Sequence, residues 1–147
     1  MKRVLTAVLL IPVFGYVILW GPQWLFLVAL TVVALLCFRE YAGIVKAQGF
    51  AGPGIFGYTA GLLLLLLPMP KEAAPATLVA LLALALALRQ ENLSRVLPSA
   101  GALIFGLAYV FGTWRCAIGL RAISPYWLLF ALAVNWVGDS AAYFGGR

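Results

Sequence analysis

Apolar runs of nearly membrane-spanning length, separated by short breaks of Gly, Pro and charge, constrain this chain more than any other feature. They cover Val4–Trp20, Trp24–Phe38, Ile55–Met69, Ala73–Leu88, Pro98–Trp114 and Leu128–Phe144. In hydrocarbon every backbone N–H and C=O must be satisfied within the protein, so such runs read as helices rather than open strands. The chain is 65% hydrophobic and 10% charged, with a mean hydropathy of +1.08. That leaves too little polar surface for an aqueous exterior, so lipid must cover much of the outside. The expected fold is all-α: a polytopic transmembrane bundle of about six helices, forming a single domain over residues 1–147.

The breaks define the elements. Met1-Lys2-Arg3 before Val4–Trp20 has the basic start and apolar core of a secretory signal. No small-residue cleavage site follows; Gly21-Pro22-Gln23 turns the chain into the second run, so an uncleaved helical hairpin is expected. Arg39-Glu40-Tyr41 is expected to end the second helix, with 42–54 as a polar connection. Pro68 and Pro70 stop the third helix, and Lys71-Glu72 turns it into the fourth; both are Leu-rich and read as lipid-facing supports. The fifth helix carries Gly101, Gly106 and Gly112, small enough for close helix contact. A loop is expected over Arg115 to Ser124, whose hydroxyl caps a sixth helix that has Pro125 at its first position.

Ten Lys and Arg against four Asp and Glu give a formal charge of +6, but the cations lie singly or in pairs at the ends of apolar runs. This is the pattern of membrane topology rather than of a nucleic-acid surface, so no nucleic-acid partner is expected. With the N-terminus inside, seven basic residues (Lys2, Arg3, Arg39, Lys46, Arg89, Arg95, Arg147) are cytoplasmic. Three, Lys71, Arg115 and Arg121, are outside. Trp20, Trp24, Trp114 and Trp127 fall at predicted helix ends, as an interfacial aromatic belt requires. Cys37 and Cys116 have no CxxC spacing and read as small buried apolar side chains. The chain has no His, which removes Ser-His-Asp and Cys-His nucleophile schemes.

Asp139 is the only Asp, and it lies within an apolar helix, where a carboxylate costs roughly 2.5 to 3.5 kcal/mol at the centre. Asn135, Asp139 and Tyr143 recur at four-residue spacing and share one helix face, and Arg147 continues the line. Gly138, Ser140, Ala141, Ala142, Gly145 and Gly146 are small, and suit either helix packing or close approach of a substrate. Trp136, mid-helix, is expected to pack in the bundle. At 1.5 Å per residue Asp139 lies about 7 to 8 Å short of a helix end near Phe144. In the N-inside arrangement that end is cytoplasmic. A carboxylate there suits Mg²⁺ held by one or two carboxylates plus substrate phosphates. Asn135 and Arg147 are the candidates for contact with those phosphates, a plain headgroup anchor being the alternative for Arg147.

The run from Asn135 to Arg147, NWVGDSAAYFGGR, resembles the W-x-x-D-[ST]-[GA]-A-Y-x-x-G-[RK] segment of bacterial phosphatidate cytidylyltransferases, also called CDP-diacylglycerol synthases. Met1 to Ala7 leading to Ile11-Pro12, Arg39-Glu40-Tyr41, Ile104 to Leu107 and Leu120-Arg121 are similar to that family in the same order. The resemblance implies CTP and phosphatidate as substrates, CDP-diacylglycerol and pyrophosphate as products, and a divalent cation. It implies a multi-pass location in the bacterial inner membrane, with membrane lipid around the chain, and suggests a homodimer. It places Asp139 in the metal and phosphate site, with Ser140 and Tyr143 as catalytic candidates beside it. Ala141 stands where many relatives have Gly.

The family pattern continues with an S-P-K-K-T-x-E-G-like stretch and later K-R-x-x-x-K-D and H-G-G-x-x-D-R elements, which this sequence lacks. The chain is therefore expected to be the N-terminal portion of a longer enzyme, inactive alone. Two other readings fit the same residues. A small cation-coupled transporter or channel component would use Asp139 to bind or relay a cation, and a CTP-dependent polyprenol or phytol kinase would share the architecture and the nucleotide.

Overall fold

A computed structural model describes residues 2–67 and 95–146. Among them are five helices: α1 (Lys2–Leu19), α2 (Gln23–Ala47), α3 (Gly54–Leu66), α4 (Val96–Ile123) and α5 (Pro125–Gly145). The all-α expectation holds for these residues. The expected helix over Ala73–Leu88, and the Pro68–Pro70 stop before it, lie outside the described residues. α2 and α4, of 25 and 28 residues, are long and apolar enough to cross a membrane. At 1.5 Å per residue each exceeds the ~30 Å hydrocarbon thickness. The chain divides into two compact units, Met1–Ala29 with Cys116–Arg147, and Leu30–Arg115.

In the first unit α1 packs on α5, and the α1–α2 turn is held by one guanidinium. Arg121 donates to the carbonyls of Ile18 (3.0 Å) and Gly21 (2.6 Å), to Val17 O at 3.5 Å, and to the Gln23 amide oxygen at 2.6 Å. Its Cζ lies 4.4 Å over the centre of the Phe26 ring. The last carbonyls of a helix have no intrahelical partners and carry the negative end of its dipole, so a cation there meets both needs. Gly21 permits the tight turn, since a Cβ would overlap the Val17 carbonyl. Arg121→Met is expected to cost about 2 to 3 kcal/mol, because the turn carbonyls lose their charge-assisted partners. Arg121→Lys should restore only part of this, lacking the planar fork. Thermal unfolding in detergent would measure both, and an unchanged midpoint for Arg121→Met would contradict the clamp.

The second unit is built around two rings that are 0% exposed, Phe38 and Phe111, with centroids 5.0 Å apart. Tyr58 meets Phe38 edge-on at 5.1 Å. α3 is not the featureless lipid-facing support expected from its leucines. Gly57, Ala60, Gly61 and Leu65 are buried, and a Cβ at Gly61 would overlap the Phe111 ring. Phe111 comes from a single wide π-helical turn, Leu107–Gly112, within α4. Tyr41 donates its hydroxyl to Ala102 O at 2.6 Å and lies where a Cβ at Gly106 would be.

Four further expectations are corrected. α2 does not end at Arg39-Glu40-Tyr41 but runs to Ala47, because no Pro interrupts it until Gly49 adopts φ +79°. There Gly49 N–H bonds to Lys46 O and Phe50 N–H to Val45 O, a glycine-dependent helix stop. Nor is Arg115–Ser124 a loop, since helix continues to Ile123. Arg115 tolerates that position by donating to the Leu64, Leu65 and Leu67 carbonyls at the C-terminus of α3. Trp114 accordingly lies inside α4 rather than at a helix end, whereas Trp20, Trp24 and Trp127 are exposed beside helix ends. Cys37 and Cys116 are free and exposed, not buried.

Candidate active site

Four of the sequence-predicted site residues lie on α5. The helix starts with Pro125 at its first turn, but the Ser124 hydroxyl does not cap it; the Ser124 carbonyl accepts from Trp127 N–H at 3.1 Å instead. Leu128 is buried in the first turns, and Asp139 follows eleven residues later. At 100° per residue these two point within about 20° of each other. One face of α5 is thus covered near its start and open near its end: Val137 through Tyr143 are all exposed.

Asn135, Asp139 and Tyr143 share that open face, one turn apart, as the spacing predicts. Asn135 donates through Nδ2 to Ala131 O at 2.9 Å, which leaves its amide oxygen available. Ser140 is turned about 100° from Asp139 and donates to Trp136 O at 2.7 Å, keeping acceptor capacity on its oxygen. Nothing lies within 4 Å of where a Cβ would stand at Gly138 or Gly145, so a ligand or a helix can reach the backbone there. Trp136 is half-buried, in keeping with a packing role. Arg147 lies outside the described residues.

Among the described residues no group of three His, Cys, Asp or Glu is arranged to hold a metal ion. An all-protein cage is therefore not what these residues form. Mg²⁺ commonly keeps several waters and takes one or two carboxylates plus substrate phosphates. Asp139, exposed and flanked by oxygen acceptors of Asn135 and Ser140, fits as one protein edge of such a centre.

Residues 1–147, the whole chain, match the model of the cytidylyltransferase family. The chain belongs to this family. No curated protein and no solved structure matches it. Membership supports cytidylyltransferase-type activity in phospholipid biosynthesis, with a divalent-cation-dependent mechanism and substrates of the CTP and phosphatidate type. The family resemblance carried by the α5 segment is thereby upheld. Sequence reasoning missed three anchoring side chains, Tyr41, Arg115 and Arg121. Arg39-Glu40-Tyr41 and Leu120-Arg121, two stretches that carry the resemblance, include two of them.

Proposed function

We propose that the chain forms the membrane-embedded part of a phosphatidate cytidylyltransferase, which transfers the cytidylyl group of CTP to the phosphate of phosphatidate. The observation that carries this reading is the full-length family match, with the Asp139 segment at the open end of α5. A phosphate oxygen of phosphatidate attacks the α-phosphorus of CTP, the bond to the β-phosphate oxygen breaks, and pyrophosphate leaves. CDP-diacylglycerol is the other product. The difficulty is charge, since two anionic groups must meet; catalysis therefore rests on positioning and neutralisation.

Asp139 would hold Mg²⁺ on its carboxylate, and the ion, when bound, supplies Lewis-acid neutralisation of the phosphates. The amide oxygen of Asn135 and the Ser140 hydroxyl would orient water or a phosphate beside it, and Tyr143 would donate to a phosphate oxygen. Arg147 would pair with a phosphate. Further carboxylates would complete the centre, with α5 as one wall of the site. The N-terminus and the Asp139 end of α5 lie on the cytoplasmic side of the bacterial inner membrane, where CTP is available. A homodimer in that membrane belongs to the same reading.

The test follows label from CTP in membranes that contain the protein expressed from its complete gene, with phosphatidate and Mg²⁺ supplied. Label from the α-phosphate should enter lipid, and label from the γ-phosphate should leave as pyrophosphate. Entry of γ-label into lipid would indicate kinase chemistry and overturn the reading.

A further inference from the structure

One end of the first compact unit carries a group of aromatic side chains that the cytidylyl-transfer reading does not use. Arg121 fixes which elements meet there: it donates to Gly21 O and to the Gln23 amide oxygen, so the end of α4 stands at the α1–α2 turn. Only Ser124 separates α4 from α5, and its N–H bonds back to Leu120 O at 2.9 Å. The end of α1 and the starts of α2 and α5 therefore share one end of the unit.

Tyr16, Trp20, Trp24, Tyr126 and Trp127 lie in or beside the terminal turns of these three helices, and all are between 57% and 70% exposed. Tyr16 and Trp20 stand together, with ring centroids 6.0 Å apart. Each of these side chains joins an apolar ring to an N–H or O–H tip. Further into the unit the exposed side chains change character. Val13 on α1, Val28 on α2, and Phe130 and Val134 on α5 carry only hydrocarbon. The same order, amphipathic ring and then hydrocarbon, thus recurs on three helices within about 10 Å of helical rise. A bilayer has that order too: its glycerol and carbonyl layer offers hydrogen-bond acceptors directly beside hydrocarbon, and Trp and Tyr concentrate there.

Charge narrows the fit. Arg121 is the only charged residue in 11–30 and 116–130. Its guanidinium is taken up by the turn carbonyls, Gln23 and the Phe26 ring. These segments therefore offer no free cation to an anionic headgroup, and the layer they fit is the one common to all phospholipids.

We propose that Tyr16, Trp20, Trp24, Tyr126 and Trp127 seat this end of the unit in the glycerol and carbonyl layer of one leaflet, and so fix the height of α5 in the bilayer. Asp139 lies twelve residues beyond Trp127, about 18 Å along the helix axis. The aromatic rim thereby sets the depth at which that carboxylate is held.

The protein expressed from its complete gene would be reconstituted with phosphatidylcholine carrying a photoreactive diazirine either beside the glycerol or at the end of an acyl chain. Crosslinked residues are then mapped by mass spectrometry. The glycerol-side probe should label the rim residues at least about threefold more than the chain-end probe does, with the preference reversed at Val13 and Val134. A phosphatidylglycerol probe should give the same pattern within about twofold. Trp20→Leu/Trp24→Leu/Trp127→Leu removes the polar tips at three exposed positions, and should shift chain-end labelling along α5 by about one turn. Trp20→Tyr/Trp24→Tyr/Trp127→Tyr, which keeps a polar tip on each ring, should leave that labelling in place. Absence of lipid labelling at the rim would mean that a protein partner or a second copy covers this end, and would overturn the proposal. So would preferential labelling of the rim by the chain-end probe, a pattern seen only with phosphatidylglycerol, or unchanged α5 labelling in the Leu variant.

Discussion

Asp139→Asn is expected to lower CTP-dependent formation of CDP-diacylglycerol by roughly 100-fold or more, the equivalent of about 3 kcal/mol in the transition state. The substitution keeps size and hydrogen-bonding shape but removes the charge that holds a divalent cation. Folding should not suffer, because Asp139 is exposed near the open end of α5 and Asn is cheaper than Asp to place in an apolar helix. Asn135→Ala and Tyr143→Phe, on the same face, should cost less than about tenfold each, since they remove a single neutral contact. The measurement is product formation across a Mg²⁺ titration, normalised to protein in the membrane. Near-normal turnover with unchanged Mg²⁺ dependence in Asp139→Asn would make the carboxylate structural.

Phe111→Ala should destabilise the protein by about 3 to 5 kcal/mol, the range for truncating a fully enclosed aromatic ring. Phe111 is 0% exposed, stands 5.0 Å from the Phe38 centroid, and lies over Gly61, where even a methyl group would collide with it. Its ring is set against Phe38 of α2 and Gly61 of α3, so truncation leaves a void between these two helices and the π turn of α4. The converse substitution, Gly61→Val, should be damaging through overlap rather than through a void. Thermal unfolding in detergent reads both. A loss below about 1 kcal/mol for Phe111→Ala would mean that the unit repacks without it.

The helical class and the shared face of Asn135, Asp139 and Tyr143 were legible because both are written in local sequence. Apolar runs fix helices in lipid, and Asn135, Asp139 and Tyr143 needed only the helical period to share a face. What the sequence hid was set by partners distant along the chain. Arg115 and Arg121 look like loop markers until the ends of α3 and α1 are seen to use them, fifty and a hundred residues away. Tyr41 likewise looked like a helix end beside Arg39 and Glu40, whereas its hydroxyl ties the middle of the unit to Ala102. The Leu-rich run of α3 concealed Gly57 and Gly61, whose importance appears only when Leu103 and Phe111 lie against them. Cys37 and Cys116 were misjudged because small apolar side chains are usually buried in water-soluble cores, whereas here both lie on exposed faces of long apolar helices.

The central claim, that the open end of α5 holds the cation of a cytidylyltransferase, can be tested by replacing Mg²⁺ with Fe²⁺ in the enzyme bound to CTP. Ascorbate and peroxide then generate radicals that cut the backbone beside the metal, and the cuts are mapped by mass spectrometry. Cleavage within a few residues of Asp139, suppressed by excess Mg²⁺ and absent from Asp139→Asn, is the predicted result. Cleavage confined to other segments, and unchanged in Asp139→Asn, would contradict it.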